Sequence, residues 1–245
     1  MQRVIVLQTL EKGYRRMFFG FVDGRLSIAG ETIVAGGRIS SQVKRASAIV
    51  LDSCVVELGV YRQILKPGVI ENLSLRLMEV YNEAIAIIAQ MTNLRALHLE
   101  PKNPDGLDFA PLAALINLET VSFESMPNFT DDDLLSVVAN LTQLKTMCLK
   151  ATGCTGRGLG ILRSLESLNL DNTPASDCNV AELRSATLQS LSVVGTKVTV
   201  SGLISLDWTT LPNLRKLWVS YTTPRSEIQR FQSIHNRPVM EVDWS

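Results

Sequence analysis

A hydrophobic spacing of the form LxxLxL returns eight times along this chain and constrains its fold more than any other feature. It is clearest in NLRALHLE, where Leu94, Leu97 and Leu99 carry it. It recurs in NLETVSFE (Leu118, Val121, Phe123) and QLKTMCLK (Leu144, Met147, Leu149). SLESLNLD (Leu165, Leu168, Leu170), TLQSLSVV (Leu188, Leu191, Val193) and NLRKLWVS (Leu214, Leu217, Val219) continue it. Upstream, VIENLSLR (Ile70, Leu73, Leu75) and RASAIVLD (Ala46, Ile49, Leu51) extend it toward the N-terminus. Successive starts are 24, 24, 24, 26, 21, 23 and 26 residues apart. The alternating LxL core suits a short strand with one face inward. Segments of helical spacing lie between the strands, at 79–91, 131–140, 201–211 and 225–235. A unit this short cannot close its own core, so neighbours must stack.

These spacings resemble the leucine-rich repeat family over residues 46–235. The resemblance implies an α/β fold, a right-handed leucine-rich repeat solenoid. Its curved parallel sheet lies on the concave side, helices and turns lie on the convex side, and β caps close the ends. The family's common form has Asn three positions past the last leucine. Here Thr152, Thr173, Thr196 and Thr222 stand there, with Cys54 in the first unit. That departure is similar to the bacterial and cysteine-containing, ribonuclease-inhibitor-like variants. A threonine at this point can face the interior and hydrogen-bond the backbone as the chain leaves its strand. Three parts follow: an N-terminal β-hairpin cap over 1–45, about eight repeats over 46–235, and a capping strand over 236–245. The first has β-like runs at 3–7, 17–22 and 25–29, with Asp23-Gly24 as a hairpin turn. In the last, Trp244 is placed to cover the final repeat.

Composition narrows the function. Lysine plus arginine and aspartate plus glutamate are equal at 24 each, which leaves no global footprint for nucleic acid or an anionic membrane. Cys54, Cys148, Cys154 and Cys178 form no CxxC pair, and His98 and His235 are the only histidines, so neither a disulfide framework nor a zinc site is expected. No cofactor or metal is expected. The start of the sequence has only a short apolar run, and no segment reaches membrane-helix length, so a soluble, cytoplasmic protein is expected. The sequons at Asn72, Asn128 and Asn140 are then incidental.

The alternation that buries the leucines turns the intervening positions onto the concave face. Small polar residues dominate there, including Asn169, and two clusters stand out. Trp218, with Lys216 and Tyr221, makes an aromatic anchor, unless the C-terminal cap folds over it. Glu100 and Glu124, near His98 and followed by Lys150 and Asp171, are either a receptor for a basic partner or a solvated face relieved by Lys150; Arg76 is a further candidate contact in the same column as these acids. A Ser-His-acid reading of Ser122 and His98 with these acids lacks an oxyanion hole. GCTGRGLG (153–160) lacks the phosphate-loop ending. Asp131, Asp132 and Asp133 suit a helix N-terminus better than a metal.

Leucine-rich repeat proteins are usually binding scaffolds. The resemblance therefore implies a non-catalytic adaptor, regulator or inhibitor that binds another protein through the concave face, as a monomer. Two alternatives remain: a substrate-recognition subunit of a ubiquitin-ligase-like complex, or a hydrolase using His98 and its neighbouring acids. A self-associating structural protein is a further class.

Overall fold

A computed structural model describes residues 48–52, 62, 65, 68, 70–235 and 241, together with the backbone of 18–22, 25–29 and 239–243. Residues 3–7, the Asp23-Gly24 turn, Cys54 and Trp244 lie outside the described residues. The chain divides into two compact units, Met1–Leu118 and Glu119–Ser245. Both are built by the same rule.

In the first unit, five strands follow one another in chain order: β1 (Phe18–Val22), β2 (Arg25–Ala29), β3 (Ala48–Asp52), β4 (Asn72–Met78) and β5 (Ala96–Pro101). β1 and β2 pair antiparallel, and each later pair is parallel. The register aligns the repeat. Ile49, Leu73 and Leu97 form one row and Leu51, Leu75 and Leu99 the next, and all six are buried. Leu26 and Ile28 of β2 occupy the same two rows. The spacing therefore runs one strand further toward the N-terminus than the eight units legible in the sequence.

The second unit repeats the pattern in six parallel strands: β6 (Thr120–Phe123), β7 (Thr146–Cys148), β8 (Ser167–Asn169), β9 (Ser190–Ser192), β10 (Lys216–Ser220) and β11 (Val239–Asp243). Val121, Met147, Leu168, Leu191 and Leu217 stand side by side in one buried row. Met240 of β11 pairs in register with Leu217. Truncating a leucine in such a row costs about 2–5 kcal/mol.

The segments between strands follow the local sequence. Helices α1 (Asn82–Ile88), α2 (Asp131–Val138) and α5 (Arg225–Ile234) form within the stretches of helical spacing. The expected helix over 201–211 is broken. Helix α4 (Val200–Ile204) stops early, and a 3-10 turn restarts at Trp208, where the Asp207 carboxylate accepts the Thr209 amide at 3.1 Å. The competing local bond explains the break. A short α3 (Asp177–Val180) was not legible in the spacing. The shortest repeat has only a 3-10 turn, Leu159–Ile161, because Gly156 and Gly158 adopt φ of 85° and 80°, outside the helical region.

Each turn out of β6 to β9 passes through a left-handed residue: Ser125, Ala151, Asn172 and Gly195. The next residue is then the threonine of the variant position in three of these turns. Thr152, Thr173 and Thr196 donate their hydroxyls to the carbonyls of Leu149, Leu170 and Val193, each at 2.7 Å. Their oxygens also accept the amides of Cys154, Ala175 and Val198. Left-handed backbone at a non-glycine residue costs about 1–2 kcal/mol, and the hydroxyl brace holds it. Just beyond, Gly153 lies so close to the preceding repeat that a β-carbon would collide with the Pro127 carbonyl oxygen. Gly153→Ala is expected to lower unfolding free energy by about 1–3 kcal/mol, measured by urea denaturation. An unchanged midpoint would contradict this packing.

Candidate protein-binding face

On the open side of the first unit's sheet, β4 places Arg76 between two carboxylates. Its guanidinium lies 3.3 Å from Glu100 on β5 and 3.8 Å from Asp52 on β3. His98 Nε2 stands 4.0 Å from the same Glu100 oxygen. The sequence left Glu100 either as a receptor for a basic partner or as part of a solvated face; here Arg76 matches its charge. An exposed ion pair of this type is worth only about 0.2–1 kcal/mol, so it fixes orientation more than stability.

The second unit carries a denser network. Asp171 is 8% exposed. One of its oxygens accepts from the Ser192 hydroxyl at 2.5 Å and the Val194 amide at 3.0 Å, and the other accepts from the Asn169 amide at 2.8 Å. Asn169 in turn accepts the Asp171 backbone amide. Asp171 is therefore an internal brace across β8 and β9, and not the surface charge that its position in the sequence implied. Glu124 accepts from Ser122 at 2.6 Å and from the Cys148 thiol at 3.5 Å. Burial pushes the Cys148 thiol up to about 11; the Lys150 amide opposes the shift, and the Glu124 charge adds to it. Such a thiol is protonated at neutral pH and a poor nucleophile. Ser192 and Cys148 were visible in the column of small polar residues, but nothing in the sequence marked which carboxylate each would meet.

The C-terminal strands hold the aromatic cluster. Trp218 is half-buried on β10, between Ser192 of β9 and Glu241 of β11 in the register. The Lys216 ammonium lies over its ring, 5.7 Å from the centroid, within cation–π range. Tyr221, just past the strand, is 61% exposed. Lys216 and Lys150 are exposed as well. A separate aromatic group that the sequence did not suggest packs Trp208 against Phe231 and His235, with ring centroids 4.9 to 5.7 Å apart.

No family model matches the chain, and no curated protein matches it. Among solved structures it is similar to an internalin C2 from Listeria monocytogenes, with 20% identity over 80% of each chain and a TM-score of 0.55. A second internalin from the same organism matches at 18% identity and a TM-score of 0.56, covering 90% of this chain and 66% of that one. A leucine-rich repeat protein from Leptospira interrogans aligns more loosely, at 16% identity and a TM-score of 0.46. At such identities the likeness concerns architecture, which here agrees with the eight-fold spacing and its aligned rows. The chain has the leucine-rich repeat fold.

Within that fold, the glycine-rich run 153–160 is a repeat-to-repeat joint. Asp131, the first residue of α2, accepts the amides of Thr155 and Gly156, each at 3.0 Å, and the Thr155 hydroxyl at 2.6 Å. Asp132 pairs with Arg157 at 2.8 Å. The amides that a phosphate loop would offer to a ligand are satisfied by a neighbouring carboxylate. Asp177 grips Thr199 in the same way one repeat later. Among the described residues no helix is long and apolar enough to cross a membrane.

The thiols of the repeat fold give a direct check. Alkylation with iodoacetamide at about pH 8 is expected to reach exposed Cys178 well before Cys148. Labelling of Cys148 should rise only as the pH approaches 11. Peptide mass spectrometry reads the order, and the reverse order would contradict the buried position beside Glu124.

Proposed function

We propose that this chain is a non-catalytic binding module that captures another protein on its open sheet face. Trp218, Lys216 and Tyr221 form the main anchor of this reading, and Asn169, Lys150 and, in the first unit, Arg76, His98 and Glu100 are further contact residues. The observation that carries it is Trp218, half-buried on a regular strand under the Lys216 ammonium, with exposed Tyr221 beside it. Trp and Tyr supply large contact area at little entropic cost, and such residues dominate interface energetics. The polar side chains around them are already cross-linked, so the face is pre-organised and little is lost on ordering it. In the second unit burial keeps the Cys148 thiol protonated, which supports binding over thiol chemistry at that position. In the same reading, β1 with β2 caps the first unit and β11 caps the second.

Affinity capture with the full chain as bait tests this. Trp218→Ala is expected to weaken capture about 30-fold or more, the size of an interface hot spot, with an unchanged circular dichroism spectrum and melting temperature. A captured set indifferent to Trp218→Ala, Lys216→Ala and Glu100→Lys would contradict it.

A further inference from the structure

Charge on the open face of the second unit is sorted by sign. The two carboxylates on the side of β6 to β9 are committed to internal bonds: Asp171 is buried under donors from Asn169, Ser192 and Val194, and Glu124 accepts from Ser122 and Cys148. A basic partner that drew either carboxylate away would leave buried donors unmatched, which costs more than a surface ion pair returns. The lysines are exposed. Among the described residues no ion pair holds Lys150 or Lys216, and Lys216 leans only on the Trp218 ring. On β11 the acids Glu241 and Asp243 pair in register with Trp218 and Ser220, and Glu241 is half-buried.

We propose that the segment recognised by this face is acidic. Carboxylates of an extended polypeptide meet Lys150 at one corner and Lys216 at the other, with an apolar side chain seated on Trp218. The inference rests on the binding reading above and assigns its partner chemistry, opposite in sign to the basic partner that was one of the two readings of the acids in the sequence. The register sets the length. Lys150 follows β7 and Lys216 opens β10, so the two stand about 14 Å apart across the strands and about 13 Å along them. An extended segment of roughly six residues covers that diagonal. Between the corners lie Asn169 and Ser192, small neutral side chains that cover the Asp171 carboxylate, whose oxygens are met by their donors and by the Val194 amide. A nucleic acid fits less well: its binding depends on neutralising many phosphates, and two lysines on a chain of zero net charge do not provide that.

Selection of random peptides displayed on phage against the full chain tests the assignment, with binding of the enriched peptides then measured by calorimetry. The expected result is enrichment of sequences rich in Asp and Glu with an aromatic or aliphatic residue between them. Their affinity should fall as salt is raised. It should drop about tenfold or more in Lys150→Glu/Lys216→Glu, as two exposed attractions become repulsions. Enrichment of basic or neutral peptides that Trp218→Ala abolishes would overturn the acidic assignment and leave the binding reading standing. Enrichment of no peptide, or only of peptides indifferent to Trp218→Ala, would overturn both. Tighter binding to single-stranded oligo-dT than to any enriched peptide would also overturn the assignment, in favour of a polyanion site.

Discussion

Everything in this molecule depends on leucines stacking between neighbouring repeats. A strand of three residues such as Ser167–Asn169 buries one inward side chain, Leu168, and that side chain finds its apolar surroundings in Met147 and Leu191 on the flanking strands. No repeat has a core of its own, and stability is shared between neighbours. The same constraint forces the outward positions to one side, since a strand alternates its side chains with a period of two.

Stacking alone would leave the turns open, and polar bonds close them. Thr152, Thr173 and Thr196 brace the turn within a repeat, and Asp131 and Asp177 reach from the first turn of one helix to the following repeat. Asn117 and Asn213, each just before the first leucine of its unit, donate to carbonyls one repeat earlier, at 2.8 Å from Thr92 and 2.7 Å from Ala186. These side chains satisfy backbone groups that the short strands leave over. They also explain why the glycine-rich run and the run of three aspartates, which look like ligand sites in isolation, are used up in joining the stack.

The buried rows were legible in the sequence because the LxL alternation is itself the burial pattern, and the concave-column residues follow by offset. What could not be read was the direction of a side chain. Asp171 and Glu124 sit at surface offsets, yet the first turns inward because Ser192, a strand away, supplies a donor. Arg76 likewise neutralises Glu100 across a strand pair that no local window reveals. Helix ends failed for a similar reason: the apolar spacing of 201–211 runs on past Asp207, while its carboxylate starts a new turn. Parallel pairing of β2 with β3 was hidden because Arg25–Ala29 carries only LxI, without the leading leucine of the repeat.

The open face of the second unit carries a half-buried tryptophan and the exposed Lys150 and Lys216. Its behaviour rests on the claim that adjacent strands are energetically one structure. Hydrogen exchange on Leu168→Ala tests that claim most directly. Loss of protection is expected in β7 and β9 as well as β8, accompanying a destabilisation of about 2–5 kcal/mol. Loss confined to residues 167–169, with the flanking strands as protected as before, would contradict it.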